Sequence, residues 1–224
     1  MRIFCAIMNV IFWILRRNYC MKKMINNYNL EIMTVILTIV FGVSIFFLES
    51  LTLAGKALLG FMMLYTLHEW EESKFPGGFY HLFFGGFGIE INVSEARMHL
   101  PVAIYILIML LVPFALQNIT FLVLIPLGLG LFEGVIHVVG IKIHKLKKPY
   151  TPGMITGIVM FVYSIYIIVQ INKAGGLLVW QWIIGFVLAF AGFAIMEQFF
   201  LKTVGLTFVD FRKMAIARAL GNRK

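Results

Sequence analysis

Six stretches of this chain have the length and apolar character of a membrane span: 31–49, 56–73, 99–116, 119–141, 153–172 and 177–201. A spanning helix needs roughly 20 predominantly apolar residues, within about 17–25. The fold predicted is therefore all-α, a polytopic transmembrane helix bundle of about six spans. Composition points the same way. The chain is 61% hydrophobic and 13% charged, against roughly 45–50% and about 25% in soluble domains. Its mean hydropathy is +0.94. These values exclude a disordered chain, a nucleic-acid-binding domain and an ordinary cytosolic enzyme.

The spans divide the chain into an apolar and basic extension (1–30), a membrane helix-bundle domain (31–201) and a basic C-terminal tail (202–224). Most connections are short. The long one, 74–98, holds Pro76, Gly77, Gly78, Gly85, Gly86 and Gly88, and is too apolar for a plain solvent loop. A re-entrant or interfacial segment is expected there. Residues 3–15 are apolar but number only 13, and Arg16 and Arg17 follow instead of a small-residue cleavage site. They read as an interfacial anchor or a short seventh span, and Met21 and Met24 are alternative starts. Cys5 and Cys20 both precede the main apolar region, so neither a disulfide framework nor a CxxC motif is expected.

The net charge of +9 is explained by topology. With six spans and both termini cytoplasmic, 17 of the 19 Lys and Arg residues fall on the inner side, and only Lys56 and Lys173 fall outside. The protein is expected to be integral to the lipid bilayer with both termini cytoplasmic. No nucleic-acid partner is implied, because the charges are spread over separate ends and loops.

Ionisable side chains inside spans are costly, so those present mark where function resides. The second span holds His68, Glu69, Trp70, Glu71 and Glu72. Spacings of three and four place His68, Glu71 and Glu72 on one helical face and Glu69 on another. The fourth span holds Glu133 and His137, again four apart. Both spans run from outside to inside. At about 1.5 Å per residue, His68 and Glu72 lie about 18 and 24 Å along the second span, and Glu133 and His137 about 21 and 27 Å along the fourth. The two polar faces therefore meet at one depth, in the cytoplasmic half, with Glu197 of the sixth span at a similar level. Imidazole with carboxylate is a common ligand set for zinc or divalent iron, and helix bundles build such sites from inward-facing Glu and His. His68, Glu72, Glu133 and His137 are the metal-ligand candidates. Glu71 and Glu72 are the candidate general bases, one of them serving as the fourth ligand. Two other uses fit the same groups: Glu–His pairing that holds helices together, His68 with Glu133 and Glu72 with His137, and a proton or ion pathway.

The residues His68-Glu69-Trp70-Glu71-Glu72, the later Glu133 and His137, and the basic loop running into P-Y-T-P-G-M-I-T-G at 149–157 resemble the HXXEE family of small integral membrane proteins. The resemblance covers roughly residues 30–175. It implies that His68, Glu71, Glu72, Glu133 and His137 are the motif residues, and it implies no reaction. Glutamate-type intramembrane prenyl-protein endopeptidases are similar only in their paired glutamates and a later histidine. Their motif needs an arginine that is missing after Glu72, where Ser73, Lys74, Phe75 and Pro76 follow.

Other polar residues read more simply. Glu95 and His99 are expected to form an interfacial pair near a helix N-terminus. His81 and Glu90 are expected at the interface, with a lid or extra-ligand role as the alternative. His144, among lysines, reads as part of a solvated charged face. Gly130 and Gly134 form G-x-x-x-G, for packing against a neighbouring span or, alternatively, for a homo-oligomer. The functional reading is a membrane metalloprotein, with a metal-dependent hydrolase acting on a membrane or lipid-like substrate as its finer form. A small proton- or ion-coupled transporter and a structural membrane protein are the alternatives.

Overall fold

The computed structural model describes residues 19–144 and 146–219. The expectations for residues 3–15, including Cys5, lie outside that range. The described residues form eight α-helices and two 3-10 turns with no strand: α1 (Tyr19–Ile45), α2 (Leu53–Ser73), α3 (Phe79–Gly86), α4 (Glu95–Ala115), α5 (Leu124–Ile143), α6 (Met154–Lys173), α7 (Val179–Thr203) and α8 (Phe208–Ala219). Five segments are long and apolar enough to cross a membrane: Lys23–Ile45, Glu95–Ala115, Thr120–Ile143, Met154–Lys173 and Val179–Thr203. The expected span 56–73 corresponds to α2, which is not among them. Its last two turns carry His68, Glu69, Glu71 and Glu72, and these polar groups are tolerated because they are buried inside the bundle.

α2 is the central helix. Leu58, Phe61 and Met62 on α2 are fully buried, together with Met33 of α1, Leu110 of α4 and Leu124 and Leu127 of α5. The outer faces of the long helices are apolar too, with Ile39, Ile108, Val162 and Val187 all exposed. Such a surface fits lipid. At its N-terminal end Thr52 caps α2, its hydroxyl accepting from the Gly55 amide at 3.0 Å. The Gln117 carboxamide accepts from the Thr52 amide at 2.9 Å, tying the α4–α5 connection to the start of α2.

α5 and α6 lie close together because G-x-x-x-G removes two side chains from their contact. A methyl group at Gly130 would meet Ser164 Oγ at 2.6 Å, and one at Gly134 would collide with Phe161 Cβ. Packing against a neighbouring span is thus what these glycines do. The glycine-rich connection contains α3, whose buried Tyr80 and Phe84 join Met98, Phe200 and Leu201 in a second apolar cluster. That cluster closes the end of the bundle where the polar residues gather.

Candidate metal centre

α2 and α5 each contribute one histidine and one glutamate, four residues apart. The four side chains converge: one donor atom from each of His68, Glu72, Glu133 and His137 lies within 4.8 Å of the other three. His68 Nε2 is 3.5 Å from Glu72 Oε1 and 3.7 Å from Glu133 Oε2. His137 Nε2 is 3.1 Å from Glu72 Oε1 and 3.5 Å from Glu133 Oε2. Each imidazole therefore faces both carboxylates, which differs from the two separate pairs of the stitching alternative. His68, Glu72 and His137 are buried, while the Glu133 side chain keeps 18% of its surface exposed.

The far nitrogen of each ring is held by a threonine. His68 Nδ1 lies 3.0 Å from Thr156 Oγ1, and that hydroxyl donates its own hydrogen to Glu71 Oε2. His137 Nδ1 lies 3.1 Å from Thr151 Oγ1, which donates to the His137 carbonyl at 3.2 Å. Each hydroxyl has spent its hydrogen, so it accepts from the ring and places the proton on Nδ1. Both Nε2 lone pairs then point into the quartet, and His137 Nε2 is buried without a hydrogen-bond partner. Outer partners of this kind fix the tautomer and direction of histidines that bind metals.

Glu71 lies outside the quartet. It accepts from the Ile155 and Thr156 amides at 3.1 and 2.9 Å, from the Thr156 hydroxyl, and from Tyr150 Oη at 2.9 Å. A carboxylate at the first amides of α6 complements the helix dipole and occupies donors that have no partner within the helix. Burial and the adjacent Glu71 carboxylate push the Tyr150 phenol up to about 12, so it remains a donor at neutral pH. Gly153 lets the 149–157 loop pass over the quartet. Its φ is +88°, and a methyl group there would meet His137 Cε1 at 2.6 Å and Glu72 Cγ at 2.7 Å.

The sequence alone does not single out Tyr150, Thr151 and Thr156, although all three lie in the loop motif. Their only sequence signal is that position beside the His/Glu pairs. Two other expectations need correction. His99 does not pair with Glu95. It is buried and turns to Glu69, with Nε2–Oε2 2.8 Å, and to the Asn29 carboxamide oxygen. Glu95 instead lies 3.3 Å from the exposed His81. His144 does not sit on a solvated face: it is half-buried, with its ring edge-on to Phe87. Glu90 is exposed.

Beside the quartet lies a cavity of about 290 Å³. Glu72, Glu133 and His137 line it, as do Glu197, His144 and a set of phenylalanines from α3, α5, α7 and α8. Glu197 thus reaches the same space as the quartet without joining it.

No curated protein and no solved structure matches the chain. The family described as "Protein of unknown function with HXXEE motif" matches residues 59–168. That stretch holds both Glu–His pairs, Glu71 and the threonine loop that orients the two imidazoles, and it belongs to the HXXEE family.

Proposed function

We propose that His68, Glu72, Glu133 and His137 form the binding site of one divalent ion, zinc or iron, and that the protein is a membrane-embedded metal-dependent hydrolase acting on a lipid-like substrate. The observation behind this reading is the spacing of the four donors. A tetrahedral ion with bonds of about 2.0–2.1 Å separates its ligands by about 3.3–3.4 Å. The four Glu–His separations of 3.1–3.7 Å bracket that value. Elsewhere in the same protein a buried Glu–His pair closes to 2.8 Å, at Glu69 and His99. Two imidazoles and two carboxylates facing one another call for positive charge among them, and a dication supplies it.

Zinc or iron held here supplies Lewis-acid chemistry, polarising oxygen and making water nucleophilic near neutral pH. Hydrolytic sites keep three protein ligands and an open position, as in the His₂Glu set. His68, Glu72 and His137, the three most buried, fill that role. Glu133 borders the cavity and is the most exposed of the four, so it is the least firmly held of the four ligands and the one free to serve as general base. It takes a proton from water as the water oxygen bonds to the substrate carbonyl carbon, and returns it to the leaving oxygen as the old C–O bond breaks. Glu71 is a positioning residue, fully occupied by α6 and Tyr150. The distribution of basic residues supports a site towards the cytoplasmic side, with both termini inside.

Metal analysis of protein purified without chelators tests the site. About one zinc or iron per chain is expected, retained in Glu71→Gln and reduced at least tenfold in His137→Ala. Wild-type protein with neither metal above background overturns the reading. The hydrolase part predicts that Glu133→Gln keeps its metal and loses about 10²–10⁴-fold in hydrolysis of lipid esters. Unchanged turnover in that variant removes Glu133 as the base.

A further inference from the structure

The cavity beside the quartet has one polar wall and otherwise apolar ones. Phe79 of α3 reaches the metal centre, its ring centroid 5.5 Å from that of His137. Phe132 and Phe193 close α5 against α7, their rings 5.2 Å apart. Phe83 of α3 stacks on Phe211 of α8 at 5.5 Å. A slot walled by phenylalanines and open at one end to titratable groups fits a molecule with a hydrocarbon body and a reactive head.

Two features narrow the molecule. The first is size. About 290 Å³ is at the lower limit of pockets that enclose a small molecule, roughly 300–1,000 Å³, so the space it encloses matches one hydrocarbon chain better than the two chains of a bilayer phospholipid. The second is charge. Among the described residues the carboxylates lining the cavity are Glu69, Glu72, Glu133 and Glu197, and no Lys or Arg lines it. Glu69 is engaged with His99, and Glu72 and Glu133 face the two quartet imidazoles. Even with a dication in the quartet these four carboxylates leave the lining net negative, so an anionic head is less favourable there than an uncharged one.

We propose that this cavity binds a single-chain, uncharged amphiphile, an ester or amide of one alkyl or prenyl chain, with its head at the quartet and its chain among Phe83, Phe132, Phe193 and Phe211. The proposal rests on the hydrolase reading for the head-to-quartet orientation, while the cavity binds its chain with or without a metal.

Photo-crosslinking in lipid nanodiscs tests it, using a twelve-carbon monoacylglycerol with a diazirine on the chain. Adducts are expected on α3 and on residues 193–200 of α7. They should fall at least fivefold in Val102→Trp and in Met196→Trp, two substitutions that fill the cavity from lining residues outside the quartet. A diazirine fatty acid and a diazirine phosphatidylglycerol should each label these segments at least fivefold less. Labelling spread over the lipid-facing residues, or equal labelling by the two anionic probes, overturns the proposal. If both variants fail to fold, the wild-type map and the probe comparison still decide it. Metal content measured on the same samples separates the two readings. Metal without cavity labelling removes the ligand proposal and keeps the metal centre; labelling without metal does the reverse.

Discussion

At the residue scale the two threonines do as much to define the site as the histidines they hold. Without Thr156, His68 loses the acceptor that keeps its proton on Nδ1, and the ring is free to change tautomer or rotate. Thr156→Val keeps the shape and removes the hydroxyl. It should weaken metal binding about 10–100-fold, the usual effect of losing such an outer partner, as read by competition with a chromogenic chelator; an unchanged affinity would show that the hydroxyl does not orient the ring. The four quartet residues are legible in the sequence because charged groups inside apolar stretches are few and two of their spacings share a face. The threonines are not, since hydroxyls are common in spans and turns and their partners are 88 and 14 positions away. The same four-residue spacing misleads at Glu95 and His99. Spacing fixes which face a side chain is on, but His99 finds its partners on α2 and α1, at Glu69 and Asn29.

At the element scale the quartet depends on how closely α5 lies against α6, because α6 begins at the loop that covers His137. Gly134 sets that distance: a methyl carbon there would meet Phe161 and would lie 3.0 Å from the Gly157 carbonyl oxygen. Gly134→Leu should cost about 1–3 kcal/mol, as overpacking does, and should also loosen the metal centre, seen as a lower unfolding midpoint and a faster loss of metal to chelator. A midpoint within error of wild type would mean that the two helices separate freely. Element existence is legible from apolar length alone. Element ends are less so: the first span, expected at 31–49, belongs to a helix that runs Tyr19–Ile45 and departs from helical geometry at Tyr28. The glycine-rich connection has too few residues between turns to announce its helix, and Phe79–Gly86 takes its place through packing against α7.

For the whole molecule, the quartet draws its four donors from α2 and α5 alone, so an ion there fastens the central helix to its neighbour. Binding to the folded state alone raises stability with ligand concentration, by about 4 kcal/mol at a thousand times Kd. For a chain of 224 residues that corresponds to a rise of roughly 8–16 °C in Tm. Thermal scans with and without chelator should show it, and coincident scans would detach the metal from the fold. The hydrogen bonds behind His68 have a further consequence. From His68 through Thr156 to Glu71 each hydrogen is donated away from the quartet, and from the other side Tyr150 also donates towards Glu71. Glu71 is a terminus that receives from both directions, so a proton passed outward from His68 through Thr156 comes to rest on Glu71 and is not handed on to Tyr150. The quartet opens instead on the cavity that Glu72, Glu133 and His137 line, and whatever occupies that space stands between the quartet and its surroundings.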